Sequence, residues 1–199
     1  MIRIRPYKPC DAQSIAAWID NEEIFHMWGG DRFGSFPITA DVMERKYTLD
    51  NGDCAEPDNF FPWTAVNDAD EPVGHFIMRY LNGDRRIWRF GWVIVNPSLR
   101  GSGYGTQMLV LGLKYAFGFL GAEKVTIGVF ENNLPAYRCY LRAGFHERET
   151  VDGTPWRIIE METDRTSYAG KERPDTRWSG VQISMHEKAP CGTGCCVCL

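Results

Sequence analysis

The chain begins with short periodic segments and changes character near residue 60. Residues 2–5 alternate apolar and charged side chains as a strand does, and residues 11–20 repeat apolar side chains at helical spacing behind Asp11, a good N-cap residue. A polar segment at 40–49 predicts a second helix. The intervening residues 21–37 are rich in glycine and aromatic residues, which predicts a variable wall rather than part of the core.

Beyond residue 60 the pattern predicts a sheet interrupted by two helices. Three strands joined by short polar turns come first, at 63–67, 73–80 and 87–95. A glycine-rich loop then leads into the remaining elements, which are a helix at 106–120, a strand at 125–130, a helix at 134–142 and strands at 145–150 and 156–162. Successive strands with short connections predict an α/β domain with a mostly antiparallel sheet.

The last part of the chain differs from the rest. Residues 163–199 are polar and irregular, so we expect a domain over residues 1–162 and a C-terminal extension over 163–199, with an edge strand at 178–185. Four of the seven cysteines crowd the end of this extension, at positions 191, 195, 196 and 198. Their spacing matches no zinc ribbon or zinc knuckle, so we predict a flexible, oxidisable tail and no metal site.

Composition and charge exclude several classes of protein. A chain of 199 residues that is 44% hydrophobic has enough apolar matter for one buried core, and its net charge of -4 lacks the basic excess that nucleic acid binding requires. No stretch reaches the roughly 18 apolar residues of a membrane span, and the first residues lack a signal-peptide core. We therefore expect a cytoplasmic monomer or homodimer that binds neither nucleic acid nor membrane.

The sharpest local pattern is the segment 93–106, VIVNPSLRGSGYGT, in which a strand enters a helix through three glycines. Backbone N–H groups at such a helix start are unpaired and convergent, and the helix dipole favours an anion there. Arg100 adds a positive charge, so the segment predicts a pyrophosphate site. A P-loop would need a lysine after Gly105, and a dinucleotide fingerprint would need a third glycine where Thr106 or Met108 stands, so neither fits.

Two motifs together resemble the GNAT-type N-acetyltransferases over roughly residues 2–162. The first is R-x-x-G-x-G at Arg100, Gly103 and Gly105, and the second is N-x-x-A-x-x-x-Y-x-x-x-G-F at Asn133, Ala136, Tyr140, Gly144 and Phe145. The resemblance implies a GNAT fold, in which a mixed, mostly antiparallel sheet has a central splay and is flanked by helices. It also implies direct transfer of the acetyl group of acetyl-CoA to a primary amine, on a small molecule or on a protein N-terminus or lysine.

The resemblance assigns roles to individual positions. The main chain of Val93, Ile94 and Val95 would hold the pantetheine arm and polarise the thioester carbonyl through a backbone N–H, and Asn133 would bind the same arm. Tyr140 would be the general acid for the departing thiolate. The pyrophosphate would be bound by Arg100, Gly101, Ser102, Gly103, Tyr104, Gly105 and Thr106.

The general base and the acceptor site are left open. Family members carry a carboxylate on the strand corresponding to 87–95 or five residues before the motif asparagine, but that strand has none here and the second position is Gly128. The remaining candidates are a water relay, an amine that arrives deprotonated, or one of Glu22, Glu23, Asp84 and Glu131, whereas His26 is expected to be a surface or structural histidine. The acceptor is expected between residues 21–36 and the turn at 152–153, where four aromatic residues would form either a pocket or core: Phe25, Trp28, Phe33 and Phe36. A module that binds acyl-CoA without turnover is the alternative function.

Overall fold

The computed structural model describes residues 1–29 and 32–169, so the predicted strand at 178–185 and the four C-terminal cysteines lie outside the described residues. The described residues form one seven-stranded sheet. Its strands are β1 Arg3–Pro6, β2 Phe61–Val66, β3 Pro72–Leu81, β4 Asp84–Val95, β5 Lys124–Phe130, β6 His146–Val151 and β7 Ile158–Asp164. They lie in the order β1-β2-β3-β4-β5-β7-β6, and only β4 and β5 are parallel neighbours within this sheet. The predicted mixed, mostly antiparallel sheet is confirmed.

Helices cover both faces of this sheet. Their bounds are α1 Ala12–Ala17, α2 Glu22–Trp28, α3 Ala40–Thr48, α4 Tyr104–Gly118, α5 Leu134–Ala143 and α6 Arg165–Ala169. Alternate side chains of β3 face two different cores. Phe76 packs in the first core, which contains side chains of α4 and α5, whereas the preceding residue, His75, contacts Tyr47 of α3 in the second core, which also contains side chains of α1 and α2. The strands and helices predicted between residues 60 and 162 are present, with ends that differ by at most three residues.

The segment 21–37 is part of the core, and the prediction of a variable wall was wrong. Asn21 caps α2 by accepting a hydrogen bond from the Ile24 N–H at 2.9 Å, and Phe25, Trp28 and Phe33 are buried in the second core. The helix is only seven residues long, so its apolar period is too short to stand out in the sequence. The helix is stabilised by the burial of its aromatic side chains rather than by the intrinsic helix propensity of its residues.

Asp11 has a different role from the predicted helix cap. Its buried carboxylate accepts two hydrogen bonds from Arg5, at 2.7 and 2.8 Å, and one from the Thr64 hydroxyl at 2.8 Å. It therefore joins β1 to β2, and α1 begins after it without a side-chain cap and ends at Ala17. Hydrogen bonds with Arg5 lower the pKa of Asp11 although burial opposes the shift.

The sheet continues past residue 162, where the sequence predicted the domain to end. β7 reaches Asp164, and the first residue of α6, Arg165, donates hydrogen bonds to the carbonyls of Phe117 at 2.6 Å and Ala122 at 3.0 Å. These bonds tie α6 to the end of α4. The division between domain and extension stays a prediction. Within residues 1–29 and 32–169, no helix has the length and hydropathy needed to cross a bilayer.

Candidate active site

The central feature of the site is the separation of β4 from β5. The two strands pair only from Ile87 to Phe90 of β4, and β4 then continues to Val95 without a partner in β5. A bulge begins at the same point, because Ile77 of β3 faces Gly91 whereas His75 faces Ile94, which gives β4 one extra residue. A bulge increases twist and ends regular pairing, so β4 turns away from β5.

A cavity of about 140 Å³ lies in the opening between the strands. It brings together Val93, Asn133 and Tyr140, which the sequence placed in one site although they come from three different elements. Trp28 of α2, Arg89 of β4 and Gly128 of β5 also line it. The splay thus creates a recess with polar groups at its wall, as small-molecule sites usually have.

Tyr140 lies on α5 with its ring buried against Phe145, and it faces the cavity. Its hydroxyl has no hydrogen-bond partner among the described residues. Burial raises the pKa of Tyr140 well above its usual range, and the nearby Arg89 guanidinium lowers it by a smaller amount. The phenol is therefore protonated at neutral pH and has a hydrogen to donate to a group in the cavity.

The glycine-rich loop leads directly to the N-terminus of α4. Gly101 and Gly103 have φ of 82° and 83°, a left-handed conformation that favours glycine, and Arg100 beside them is exposed. Two N–H groups of this loop are used within it, because the Arg100 N–H donates to the Pro97 carbonyl at 3.3 Å and the Ser102 N–H to the Leu99 carbonyl at 3.4 Å.

The N–H groups that start α4 are available for a ligand. The first bond back from the helix to the loop runs from the Gln107 N–H to the Gly103 carbonyl at 3.0 Å, so Tyr104, Gly105 and Thr106 precede it. Their N–H groups lie at the positive end of a 15-residue helix. A diphosphate fits this chemistry better than a cation does.

Gly105 differs from the other two glycines because it serves close packing. A Cβ here would lie 3.1 Å from the Cys139 sulfur and 3.4 Å from a Val95 methyl group, so its absence lets α4 approach β4 and α5. Thr106 contacts the same sulfur at 3.5 Å, and burial raises the pKa of the Cys139 thiol. Ile94 follows Val93, which lines the cavity, and buries its own side chain in the second core. Only the main chain of Ile94 can therefore contact a ligand.

Asn133 joins β5 to α5. Its side-chain oxygen caps α5 by accepting from the Ala136 N–H at 3.2 Å, and its own N–H donates to the Phe130 carbonyl at 2.9 Å. These two bonds give a local structural reason for an asparagine immediately before the helix. Its amide NH₂ is the group left to donate into the cavity.

An ion pair that the sequence analysis missed lies at the floor of the cavity. Arg89 donates two hydrogen bonds to Glu160 of β7, at 2.7 and 2.8 Å, across the face of Gly128. A Cβ on Gly128 would stand 2.7 Å from the guanidinium, so glycine at this position makes room for the pair. The signal available was the single charge of Arg89 within the otherwise apolar run 87–95, but its pairing with Glu160 depends on β7 lying next to β5.

The candidate bases lie elsewhere. None of the residues named from the sequence lines the cavity, namely Glu22, Glu23, His26, Asp84 and Glu131. Asp84 is the first residue of β4 and pairs with Arg86 at 2.8 Å. Among the described residues that line the cavity, Arg89 carries the formal charge, and Glu160 neutralises it from behind.

The aromatic side chains of residues 21–36 serve both alternatives that the sequence left open. Phe25 and Phe33 are core, and Phe36 packs at the edge of the same cluster. Trp28 is 5% exposed and also lines the cavity, where its indole N–H donates to the main-chain carbonyl of Trp92 at 2.8 Å. One aromatic residue thus connects α2 with the bulge of β4.

Comparison with known proteins points to one family. The family model described as "Acetyltransferase (GNAT) domain" matches residues 2–146. An aminoglycoside N(6')-acetyltransferase type 1 of Serratia marcescens is 23% identical, covering 82% of this chain and 83% of its own. The peptidyl-lysine N-acetyltransferase YjaB of Escherichia coli K12 is 26% identical, covering 71% of this chain and 89% of its own.

Solved structures show the same fold. The aminoglycoside acetyltransferase AAC(6')-Ib, crystallised with coenzyme A and kanamycin, superposes with a TM-score of 0.70 at 18% identity, covering 87% of this chain and 100% of that chain. Spermidine N-acetyltransferase from Vibrio cholerae, crystallised with CoA and spermine, gives a TM-score of 0.69 at 20% identity, covering 84% of this chain and 98% of that chain. The fold is therefore shared with proteins that have been crystallised with coenzyme A.

Proposed function

Since the chain belongs to the acetyltransferase (GNAT) family and is an acetyl-CoA-dependent N-acetyltransferase, we propose that its acetyl transfer takes place in the cavity between β4 and β5. The observation that carries this proposal is the convergence of Val93, Asn133 and Tyr140 on one recess beside the glycine-rich loop. These residues come from separate elements, and ordinary core packing gives no reason for all three to surround an opening.

The donor would lie along the outer end of β4. The first-turn N–H groups of α4 and the exposed Arg100 are suited to the diphosphate. The main chain of residues 93–95, which has no partner in β5, offers strand-like hydrogen bonds to the pantetheine amides. The Asn133 amide would donate to the same arm. These contacts bind the donor without taking part in bond making.

The chemical step needs one hydrogen-bond donor at the carbonyl oxygen and one at the sulfur. In this proposal the Val93 N–H donates to the thioester oxygen, on which negative charge develops as the amine nitrogen bonds to the carbonyl carbon. The Tyr140 hydroxyl gives its proton to the sulfur as the carbon–sulfur bond breaks, and solvent restores that proton. Burial keeps the Tyr140 hydroxyl protonated, so its hydrogen is present when the sulfur departs, but the same burial makes the phenol a weaker acid, and its assignment rests on its position at the cavity.

The acceptor amine would enter without its extra proton. None of the described residues that line the cavity is a carboxylate, so none of these side chains stabilises a cationic ammonium group there. We therefore expect kcat/KM to rise with pH until the acceptor amine itself is deprotonated, and a proton lost after attack would leave to water. This favours the deprotonated amine over a direct carboxylate base.

We further propose a small polyamine or aminosugar as the acceptor. The recess is narrow and bounded by Met27, Trp28 and Ile158, which suits an amine on a slender or flexible arm. Relatives named for aminoglycosides and spermidine support this class, and the peptidyl-lysine relative provides the competing one.

An amine panel tests the proposal. Purified protein with acetyl-CoA would be offered kanamycin, spermidine and a lysine-containing peptide, with the acetylated product measured by mass because the seven cysteines of the chain would react with a thiol dye. Tyr140→Phe is the control, since it should bind acetyl-CoA and release product slowly. Acetylation of the peptide alone would contradict the small-amine acceptor, and equal turnover in Tyr140→Phe would contradict the assigned acid.

A further inference from the structure

Trp92 adopts a backbone conformation that a bulky residue rarely takes. Its φ is 47°, in the left-handed region, and it occupies the bulge at the point where β4 leaves β5. Such a conformation costs free energy and persists only where the surroundings hold it. The structure must therefore contain groups that stabilise this bulge.

Those groups come from α2, from α3 and from the segment between them. The Trp28 indole N–H donates to the Trp92 carbonyl at 2.8 Å. The Trp92 ring stacks on Tyr47, with centroids 5.7 Å apart and planes at 14°, and Phe33 packs on it at 4.9 Å. Gly29, with φ of 134°, approaches so closely that a Cβ there would lie 2.7 Å from the Trp92 ring. We call these contacts of Trp28, Gly29, Phe33 and Tyr47 with Trp92 the aromatic clamp.

One contact of the clamp acts on the peptide group itself. A trans peptide is planar, and its C=O and N–H point in opposite directions. The bond from Trp28 to the Trp92 carbonyl therefore also fixes the direction of the Val93 N–H. Val93 has no partner in either ladder of β4, and it lines the cavity.

We propose that Trp28 is a positioning residue for acetyl transfer, because its indole N–H orients the 92–93 peptide so that the Val93 N–H meets the thioester oxygen. This inference rests on the proposed function and adds to it a residue outside the family motifs. Trp28 does not touch the reacting atoms in this account. Its ring packs in the second core and bounds the recess, whereas its N–H is the group that orients the 92–93 peptide.

The test compares two tryptophans that make the same kind of bond. Trp88 lies in β4 and is 3% exposed. Its indole N–H donates to the Arg85 carbonyl at 2.7 Å, at the end of the strand away from the bulge. Trp28→Phe and Trp88→Phe each lose one indole N–H and keep an aromatic ring. We expect kcat to fall by about 10- to 100-fold in Trp28→Phe, because misdirecting an oxyanion donor costs less than the roughly 100- to 1,000-fold of deleting one. The Kd for acetyl-CoA should stay within about threefold in Trp28→Phe, and Trp88→Phe should retain the kcat of the natural protein.

An infrared measurement separates positioning from a general loss of structure. The carbonyl stretch of ¹³C-labelled acetyl-CoA should move to lower frequency on binding to the natural protein and to Trp88→Phe, and this shift should diminish in Trp28→Phe. If Trp28→Phe does not fold, benzothienylalanine at position 28 retains the shape of the ring and removes only the N–H. A full carbonyl shift and full kcat in Trp28→Phe, or in the benzothienylalanine variant, would overturn the inference, as would an equal loss in Trp88→Phe. If the natural protein transfers acetyl to none of the amines, the proposed function itself is refuted.

Discussion

Replacement of Gly29 by alanine should destabilise the fold through its contact with Trp92. The backbone at Gly29 has φ of 134°, so any side chain is strained there, and the added methyl group would lie 2.7 Å from two atoms of the Trp92 indole. The conformational cost is about 1 kcal/mol, and overpacking of a buried ring adds about 1–3 kcal/mol. We expect a loss of about 3 kcal/mol in the free energy of unfolding, or a Tm lower by roughly 6–12 °C for a chain of this size.

Gly34→Ala provides the matched control. Gly34 has φ of 87°, but no atom lies within 4 Å of the position its Cβ would take. This variant carries the conformational cost alone, so the difference between the two in urea unfolding measures the contact with Trp92. Displacement of the Trp92 ring should also lower kcat in Gly29→Ala and leave it unchanged in Gly34→Ala. Equal unfolding free energies for the two variants would refute the reasoning.

Further predictions concern the donor, the acid, the buried histidine and the ion pair. Tyr140→Phe should lower kcat by about 100-fold and leave the Kd for acetyl-CoA, measured by calorimetry, unchanged. Arg100→Ala should weaken acetyl-CoA binding more than it weakens binding of a pantetheine thioester without the diphosphate; equal effects on both would contradict a phosphate contact. Burial lowers the pKa of His75 from 6.5 to about 3, so below pH 6.5 the unfolded chain binds a proton that the native state does not. The free energy of unfolding should therefore fall by up to about 1.4 kcal/mol for each pH unit below 6.5. His75→Gln should lose this dependence in urea unfolding between pH 7 and 5, and an unchanged slope would refute the assignment. Gly128→Ala should push the Arg89 guanidinium off its carboxylate partner, which lowers kcat and alters its pH profile; a crystal structure with the pair intact would contradict this.

Much of the site could be predicted because its signals are local. The three glycines between a strand and a helix, and the asparagine, tyrosine and glycine spaced along α5, each reflect the geometry of one turn or one helix. The same is true of the strands beyond residue 60, whose alternation records which side chains face the core. A sequence contains this information in consecutive residues, so the fold class and the expected location of the diphosphate followed from it.

The tertiary structure decided what depends on residues far apart in the chain. The partnership of Arg89 with Glu160 exists because β7 inserts between β5 and β6 and brings Glu160 opposite Gly128. The burial of α2 and its contact with Trp92 arise because the second core packs against the bulge of β4. Strand order, register and the packing of one core on one peptide are set by the summed burial of many side chains, and no short pattern contains that sum.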